Sequence, residues 1–213
     1  NFVEITLTEG LTQIQKANTL DWIQASPGTK LYPQDKIRTL LESLAQLKYP
    51  DGSTITLRQN SLLAIQDISQ DPKSGMKKRE LKLDLGGMKY KVTHLEEKGS
   101  EFKIYSSSAI VGVTGTAGTI INAGEGKPTK NILVEGTTYI TDENALNGKP
   151  QSAGNTYTID EEAKSDKHML TDKEKDDKEY GIKDELTYKR FNDLVNKFNQ
   201  KKKEGYNLAG LTP

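Results

Sequence analysis

The chain has 213 residues, 33% of them hydrophobic and 28% charged, which suits one domain with an appendage, or two small domains, and leaves part of the chain facing solvent. Its 30 basic and 30 acidic side chains cancel, so no global field draws it to nucleic acid or to an anionic membrane. Without Cys it has no disulfide, thiolate nucleophile or Cys-based metal site, and no apolar run approaches the roughly 20 residues that span a bilayer.

Val3, Ile5 and Leu7 alternate with polar residues and predict a strand ending near Glu9-Gly10, with a second from Leu11 to Ile14. Trp22 and Ile23 follow a polar connection, and Pro27-Gly28 turns the chain into its most informative stretch. There Ala45, Leu47 and Tyr49 alternate with Gln46 and Lys48, and Ile55 and Leu57 with Thr54, Thr56 and Arg58. Pro50-Asp51-Gly52-Ser53 between them predicts a hairpin with a primed turn, because Gly permits and Asp tolerates positive φ. Asp67 to Arg79 is rich in Ser, Asp, Lys and Gly and reads as an exposed loop. Leu81, Leu83 and Leu85 form a strand that Gly86-Gly87 breaks, with Tyr90 and Val92 beyond it. A turn over Glu96 to Ser100 then leads to Phe102 and Ile104, predicting another hairpin.

An internal repeat is visible without further information. Leu7-Thr-Glu-Gly-Leu-Thr-Gln-Ile14 aligns with Leu133-Val-Glu-Gly-Thr-Thr-Tyr-Ile140, and without a gap Asn18 falls on Asn144, Leu20 on Leu146, Ser26 on Ser152 and Gly28 on Gly154. Short strands punctuated by Gly in this way suggest stacked β-coils, each covering the apolar face of the last; a sandwich gives similar spacing.

From about Glu161 the composition changes to a charged stretch with Met169 and Leu170 as its apolar anchors, and Thr171-Asp172-Lys173-Glu174 matches a capping box. Tyr188, Phe191, Leu194, Val195 and Phe198 then fall on one face at helical spacing, predicting an amphipathic helix from Leu186 to Lys203 that Gly205 ends. That stripe either packs on the β domain or meets a partner, and its five residues are the candidate partner-binding set. The expected division is therefore a β domain over 1–160 and a charged linker with a C-terminal helix over 161–213.

Catalytic patterns are absent. Gly112 to Gly124 invites a phosphate-cradling reading, but Gly-x-x-x-x-Gly-Lys-Ser/Thr is missing and no helical pattern follows, so tight β-turns explain these glycines. His94 and His168 lack partners at metal-ligand spacing, and Ser61 and Ser106 to Ser108 sit in no nucleophile elbow. No catalytic residue, metal site or cofactor site is expected.

The run Gly28-Thr-Lys-Leu-Tyr-Pro-Gln-Asp-Lys-Ile-Arg-Thr39, then Ala45 to Tyr49, Asp51-Gly52-Ser53 and Asn60-Ser61, resembles the FecR domain. In that family a Gly precedes the Asp before Ile-x-Thr; here Gln34 stands at that place, ahead of Asp35. The resemblance continues through Leu81 to Val92, Phe102 to Ile104 and Val113 to Thr119, where Thr114-Gly-Thr-Ala-Gly-Thr119 replaces the family's usual Arg-Gly-Thr-x-Phe. It covers about Val3 to Ile159 and implies a mainly β fold of stacked short antiparallel strands, β-solenoid-like or sandwich-like, ahead of the α-helical segment. It also implies a non-enzymatic extracytoplasmic module for protein or ligand recognition, in the periplasm or elsewhere in a bacterial envelope, with a signalling link to sigma-factor regulation. A protein partner in the envelope is then expected, with no membrane span in this chain and the oligomeric state left open. The competing expectation is a structural scaffold of the cell envelope. The start at Asn1-Phe2, without Met, reads as a trimmed or mature exported protein, and any signal peptide, lipid anchor or membrane helix would have lain upstream.

Overall fold

Alternate side chains enter one hydrophobic core along strand after strand: Val3 and Ile5, Ala45 and Leu47, Ile55 and Leu57, Leu81 and Leu83, Phe102 and Ile104 are all buried. The computed structural model describes residues 1–141, 149–159 and 165–169, and the described residues form strands, turns and bends but no helix. By contacts the chain divides into a first unit, Asn1–Gly181, which holds all these strands, and a second, Ile182–Pro213, which lies outside the described residues.

Two sheets build the first unit. One runs in the order β4 (Lys30–Leu31), β1 (Val3–Glu9), β6 (Leu44–Lys48), β7 (Thr54–Leu57), the second half of β9 (Lys77–Lys91), β12 (Ala117–Asn122), β13 (Thr129–Glu135), β16 (Asn155–Ile159) and β17 (Ser165–Met169). The other runs β3 (Ile23–Gln24), β2 (Thr12–Gln15), β5 (Lys36–Thr39), β8 (Ser61–Gln70), the first half of β9, β10 (Glu101–Tyr105), β11 (Ile110–Val113), β14 (Thr137–Thr141) and β15 (Lys149–Ser152). The chain passes back and forth between the sheets as it advances along both, and neither sheet closes on itself. Mainly β, stacked and antiparallel, is what the sequence led us to expect.

β9 joins the sheets, and its burial shows how. Arg79, Leu81 and Leu83 face the core in the first half, Met88 and Tyr90 in the second, so the buried parity changes from odd to even across Gly86-Gly87. A strand that leaves one sheet for the facing one must offer its opposite face to the same core. Gly86 makes the crossing, with φ at 94° and a hydrogen where a Cβ would fall 2.3 Å from Ser61 Oγ and 2.7 Å from the Asn60 carbonyl oxygen.

Three local expectations are corrected. β9 and β10 are neighbours, but parallel, with Glu101 opposite Lys78 and Tyr105 opposite Lys82, so they do not form a hairpin. Because β9 ends in the other sheet, the chain returns alongside its first half in the same direction. The loop read over 67–79 is shorter, since β8 runs to Gln70 and pairs with β9 from Lys77; these arms are polar enough to look like loop, yet Ile68 and Arg79 still point inward. The turn after β6 is not a two-residue primed turn: Gly52 N–H bonds the Tyr49 carbonyl at 3.0 Å, Tyr49 N–H bonds the Ser53 carbonyl at 2.9 Å, and Gly52 alone among Pro50, Asp51 and Gly52 has positive φ. Pro50 presets the first corner and the left-handed Gly52 follows as the bulge residue. The expected helix over 186–203 lies outside the described residues, while β17 adds a strand within the stretch read as linker.

The repeat is structural. β2 and β3 pair Gln13 with Gln24 and Ile14 with Ile23, and β14 and β15 pair Tyr139 with Pro150 and Ile140 with Lys149, which is the same register at the same offset. Glu9-Gly10 and Glu135-Gly136 each carry the chain from the first sheet to the second. The other pairing of the unit is shifted: Gly28 N–H bonds the Ile5 carbonyl at 2.7 Å, whereas Gly154 N–H bonds the carbonyl of Leu133, the equivalent of Leu7, at 3.0 Å.

Candidate functional site

The residues that carry the sequence resemblance turn out to be corner pieces. Thr39, at the end of β5, donates its hydroxyl to the Arg58 carbonyl and accepts the Ser61 N–H at 3.1 Å. Ser61 Oγ in turn donates to the Gly87 carbonyl and accepts the Gly87 N–H, both at 3.0 Å. Of these groups the Gly87 N–H, at the crossing of β9, takes Ser61 Oγ as its acceptor, while the Gly87 carbonyl also accepts the Arg58 N–H at 2.9 Å; an unpaired buried amide costs about 1–3 kcal/mol. Asp51 accepts the Ser53 N–H at 3.0 Å, and Ser53 Oγ accepts the Thr93 N–H at 3.1 Å, tying the turn to the chain beyond β9.

Asp51 also reaches across the core. Its Oδ2 accepts from Arg79 Nη1 at 2.5 Å, between side chains 16% and 7% exposed, and the Arg79 guanidinium lies 4.7 Å from the Tyr49 ring centroid. Tyr49 meets Phe102 edge-on at 5.7 Å. Burial raises the Asp51 pKa, but the Ser53 N–H and the Arg79 charge outweigh it and hold the carboxyl below its ordinary range. Burial pushes the Tyr49 phenol up. Composition puts Arg79 at the end of a loop, but its parity with Leu81 and Leu83 is the sequence signal that matches its place on the core face. Farther along, the interior becomes polar: Tyr90 Oη donates to Asn131 Oδ1 at 3.0 Å, and Asn131 Nδ2 and Thr138 Oγ1 donate to Gln151 Oε1 at 2.7 and 3.0 Å.

A further carboxylate, Asp35, is buried at 3% exposed beside the edge strand β4. Asp35 accepts from Lys16 Nζ at 2.7 Å, from the Ala17 N–H at 2.9 Å and from the Tyr32 N–H at 3.0 Å, while Lys16 Nζ also donates to the Lys30 carbonyl at 2.7 Å. Lys16 thereby occupies the Lys30 carbonyl of the two-residue edge strand β4, and Asp35 the Tyr32 N–H just after it. Gln34, just before, keeps the left-handed turn at φ 73° with its N–H on the Ile65 carbonyl at 2.7 Å.

Several aromatic and aliphatic groups are exposed on the segments around this edge. Leu20 is 91% exposed, Ile23 53% and Tyr32 47%. A cation covers each neighbouring ring: Lys16 over Tyr32 at 5.5 Å, Lys30 over Phe2 at 4.2 Å and Arg38 over Trp22 at 4.2 Å. Arg38 is held there by two bonds to Gln13 Oε1, at 2.9 and 2.8 Å. Rings kept flat under fixed cations present apolar area at little entropic cost, as contact surfaces do.

The predicted partner-binding residues Tyr188, Phe191, Leu194, Val195 and Phe198 lie outside the described residues. His94 packs against the turn at Gly115, where a Cβ would fall 3.0 Å from its Nδ1. Among the described residues no three His, Asp or Glu side chains come together as a metal site would require, and no helix is long and apolar enough to cross a membrane.

Comparison with known proteins follows this geometry. Residues 35–139 match the model of a family described as FecR protein, a span that runs from the buried Asp35 to β14 and contains the crossing strand. Two crystal structures of a "putative anti-sigma factor" from Parabacteroides distasonis ATCC 8503, at 1.65 and 2.50 Å resolution, each superpose with a TM-score of 0.50 and 15% identity. Each alignment covers 63% of this chain and 59% of that one, so this chain spans well under two thirds of that protein, and the likeness is one of fold. No curated protein matches.

Proposed function

We propose, from the FecR match of residues 35–139, that this chain is a non-enzymatic extracytoplasmic recognition module that takes part in envelope signalling related to sigma-factor regulation. The carrying observation is that the signature residues Thr39, Ser53 and Ser61 are buried and spent on backbone corners, and the half-buried Asp51 on a turn and one ion pair. A module built this way works through its surface. The fold neighbour's description as a "putative anti-sigma factor" supports the same reading. The partner is a protein of the envelope, met by the aromatic edge around Leu20, Trp22, Ile23 and Tyr32. The stripe Tyr188, Phe191, Leu194, Val195 and Phe198 enters as a second contact element on its sequence periodicity alone.

The decisive experiment is deletion of the gene followed by transcript profiling, with complementation by the wild-type chain and by Leu20→Asp combined with Ile23→Asp. A regulon sharing one promoter element, restored by the wild type and not by the double variant, is the expected result. Unchanged transcripts together with a leaky or misshapen envelope would overturn it in favour of a scaffold.

A further inference from the structure

On the first sheet, a group of residues that point away from the core is nevertheless buried. Met88 and Tyr90 fix the inward parity of β9, and the register passes it to Gly118 and Ile120 on β12, Asn131 on β13 and Tyr157 on β16. Thr119, Ile121, Ile132 and Thr156 therefore point outward. At the same level on β7 and β9, Thr56 and Lys89 are half-buried, as an open sheet face allows. Yet Ile132 is 1% exposed and Thr156 0%, and Thr119 and Ile121 are buried with them. Ile121 and Ile132, unlike Ile120, also stand apart from the hydrophobic core. Every described strand belongs to one of the two sheets, so no third layer of described strands covers this face. Its cover comes from the remaining residues of the chain.

Topology and charge narrow which residues those are. Residues 142–148 join β14 to β15 in the second sheet, and 160–164 join β16 to β17 beyond Ile159. The chain that follows β17 starts beside the patch, since Met169 is opposite Asn155 and His168 opposite Thr156. Strands lie about 4.8 Å apart, so a few extended residues of about 3.3 Å each reach β13 and β12 from there. Lys89, Lys91 and Lys130 surround the patch, and its four strands carry one carboxylate in this sheet, Glu135. Residues 170–181 hold five carboxylates and three lysines, with Leu170 and Tyr180 as their large apolar side chains, and they belong to the same unit as the strands. Residues 182–213 hold seven basic and four acidic side chains, the wrong sign for a lysine rim. We infer that residues 170–181 dock across the outward face of β16, β13 and β12, with Leu170 and Tyr180 covering Ile132 and Ile121 and the carboxylates facing the lysines. The charged stretch after β17 is then a strap fastened to the sheet rather than a loose spacer. The inference does not depend on the signalling role, since it concerns the purified chain.

The test uses the full chain. With Ile, Leu, Tyr and Phe side chains isotope-labelled, nuclear Overhauser contacts are expected from the Ile121 and Ile132 methyl groups to Leu170 and Tyr180. Contacts to Leu194 and Phe198, to another copy in a mixed-label sample, or to no residue after Met169 would overturn the proposal. Thiol labelling gives an independent reading, because the chain has no Cys. Thr119→Cys is expected to react about tenfold or more slowly than Thr56→Cys, and Leu170→Asp with Tyr180→Asp to remove that difference. The same two changes should leave the Thr56→Cys rate as it was, which a general loss of folding would not. Equal rates for the two thiols in the otherwise unchanged chain, or a difference that survives Leu170→Asp with Tyr180→Asp, would also overturn it.

Discussion

Asp51 and Ser61 show what single residues contribute. Asp51 has a depressed folded pKa, so its stabilisation is fully present above the unfolded carboxylate value of about 3.9 and is lost as pH falls through the lower folded value. Asp51→Asn leaves Arg79 buried without its counter-ion, a loss of about 3 kcal/mol for such a pair. The expected signature is a gap between wild type and variant in urea midpoints at pH 7 that narrows steadily below pH 4; a gap independent of pH would show that the ion pair is not its source. Ser61→Ala strands the Gly87 N–H at the strand crossing, while the Gly87 carbonyl keeps the Arg58 N–H, and should cost about 1 kcal/mol, read from the same denaturation curves. Gln34 makes the opposite case. Glycine in its place removes the strain of a left-handed side chain, and a gain of up to about 1 kcal/mol is expected, visible as a higher midpoint with an unchanged slope.

At the scale of elements, β9 decides the topology. Its halves belong to different sheets, and the residue between them has room for hydrogen alone. Gly86→Ala combines a left-handed φ with overlap against Ser61 and the Asn60 carbonyl, so a loss of about 3 kcal/mol or more is expected. Circular dichroism during urea unfolding would check it, and a variant as stable as wild type would rule out the crossing at this residue. The alternation of Leu81, Leu83, Tyr90 and Val92 was legible as strand, and Gly86-Gly87 as an interruption. That the interruption is a passage between layers was not, because a glycine pair permits a turn, a bulge or a bend equally well, and the facing sheet chooses among them. For the same reason Phe102 to Ile104 looked like the return arm of a hairpin and is a parallel neighbour.

At the scale of the molecule, the repeated unit stands towards the two ends of the strand order, β1 to β4 at one and β13 to β16 at the other, with the crossing strand between. The core and every described strand lie within Asn1–Gly181. A chain ending at Gly181 is accordingly expected to melt in one cooperative transition; a broad, non-cooperative melt would show that the fold needs residues beyond it.

The sequence by itself determined the mainly β class, most strand positions and the repeat, because side-chain alternation and the Glu-Gly corners act over a few neighbouring residues. It also carried the FecR resemblance. It placed Thr39, Asp51 and Ser61 in order without showing what they bond, since their partners at Arg58, Arg79 and Gly87 come from other segments of the chain. The aromatic edge at Leu20, Ile23 and Tyr32 and the buried outward face at Ile121 and Ile132 were decided by tertiary structure alone. Each depends on which strand ends a sheet and which strands lie side by side, and local pattern holds no record of that because the pairing energies come from residues far apart in the chain.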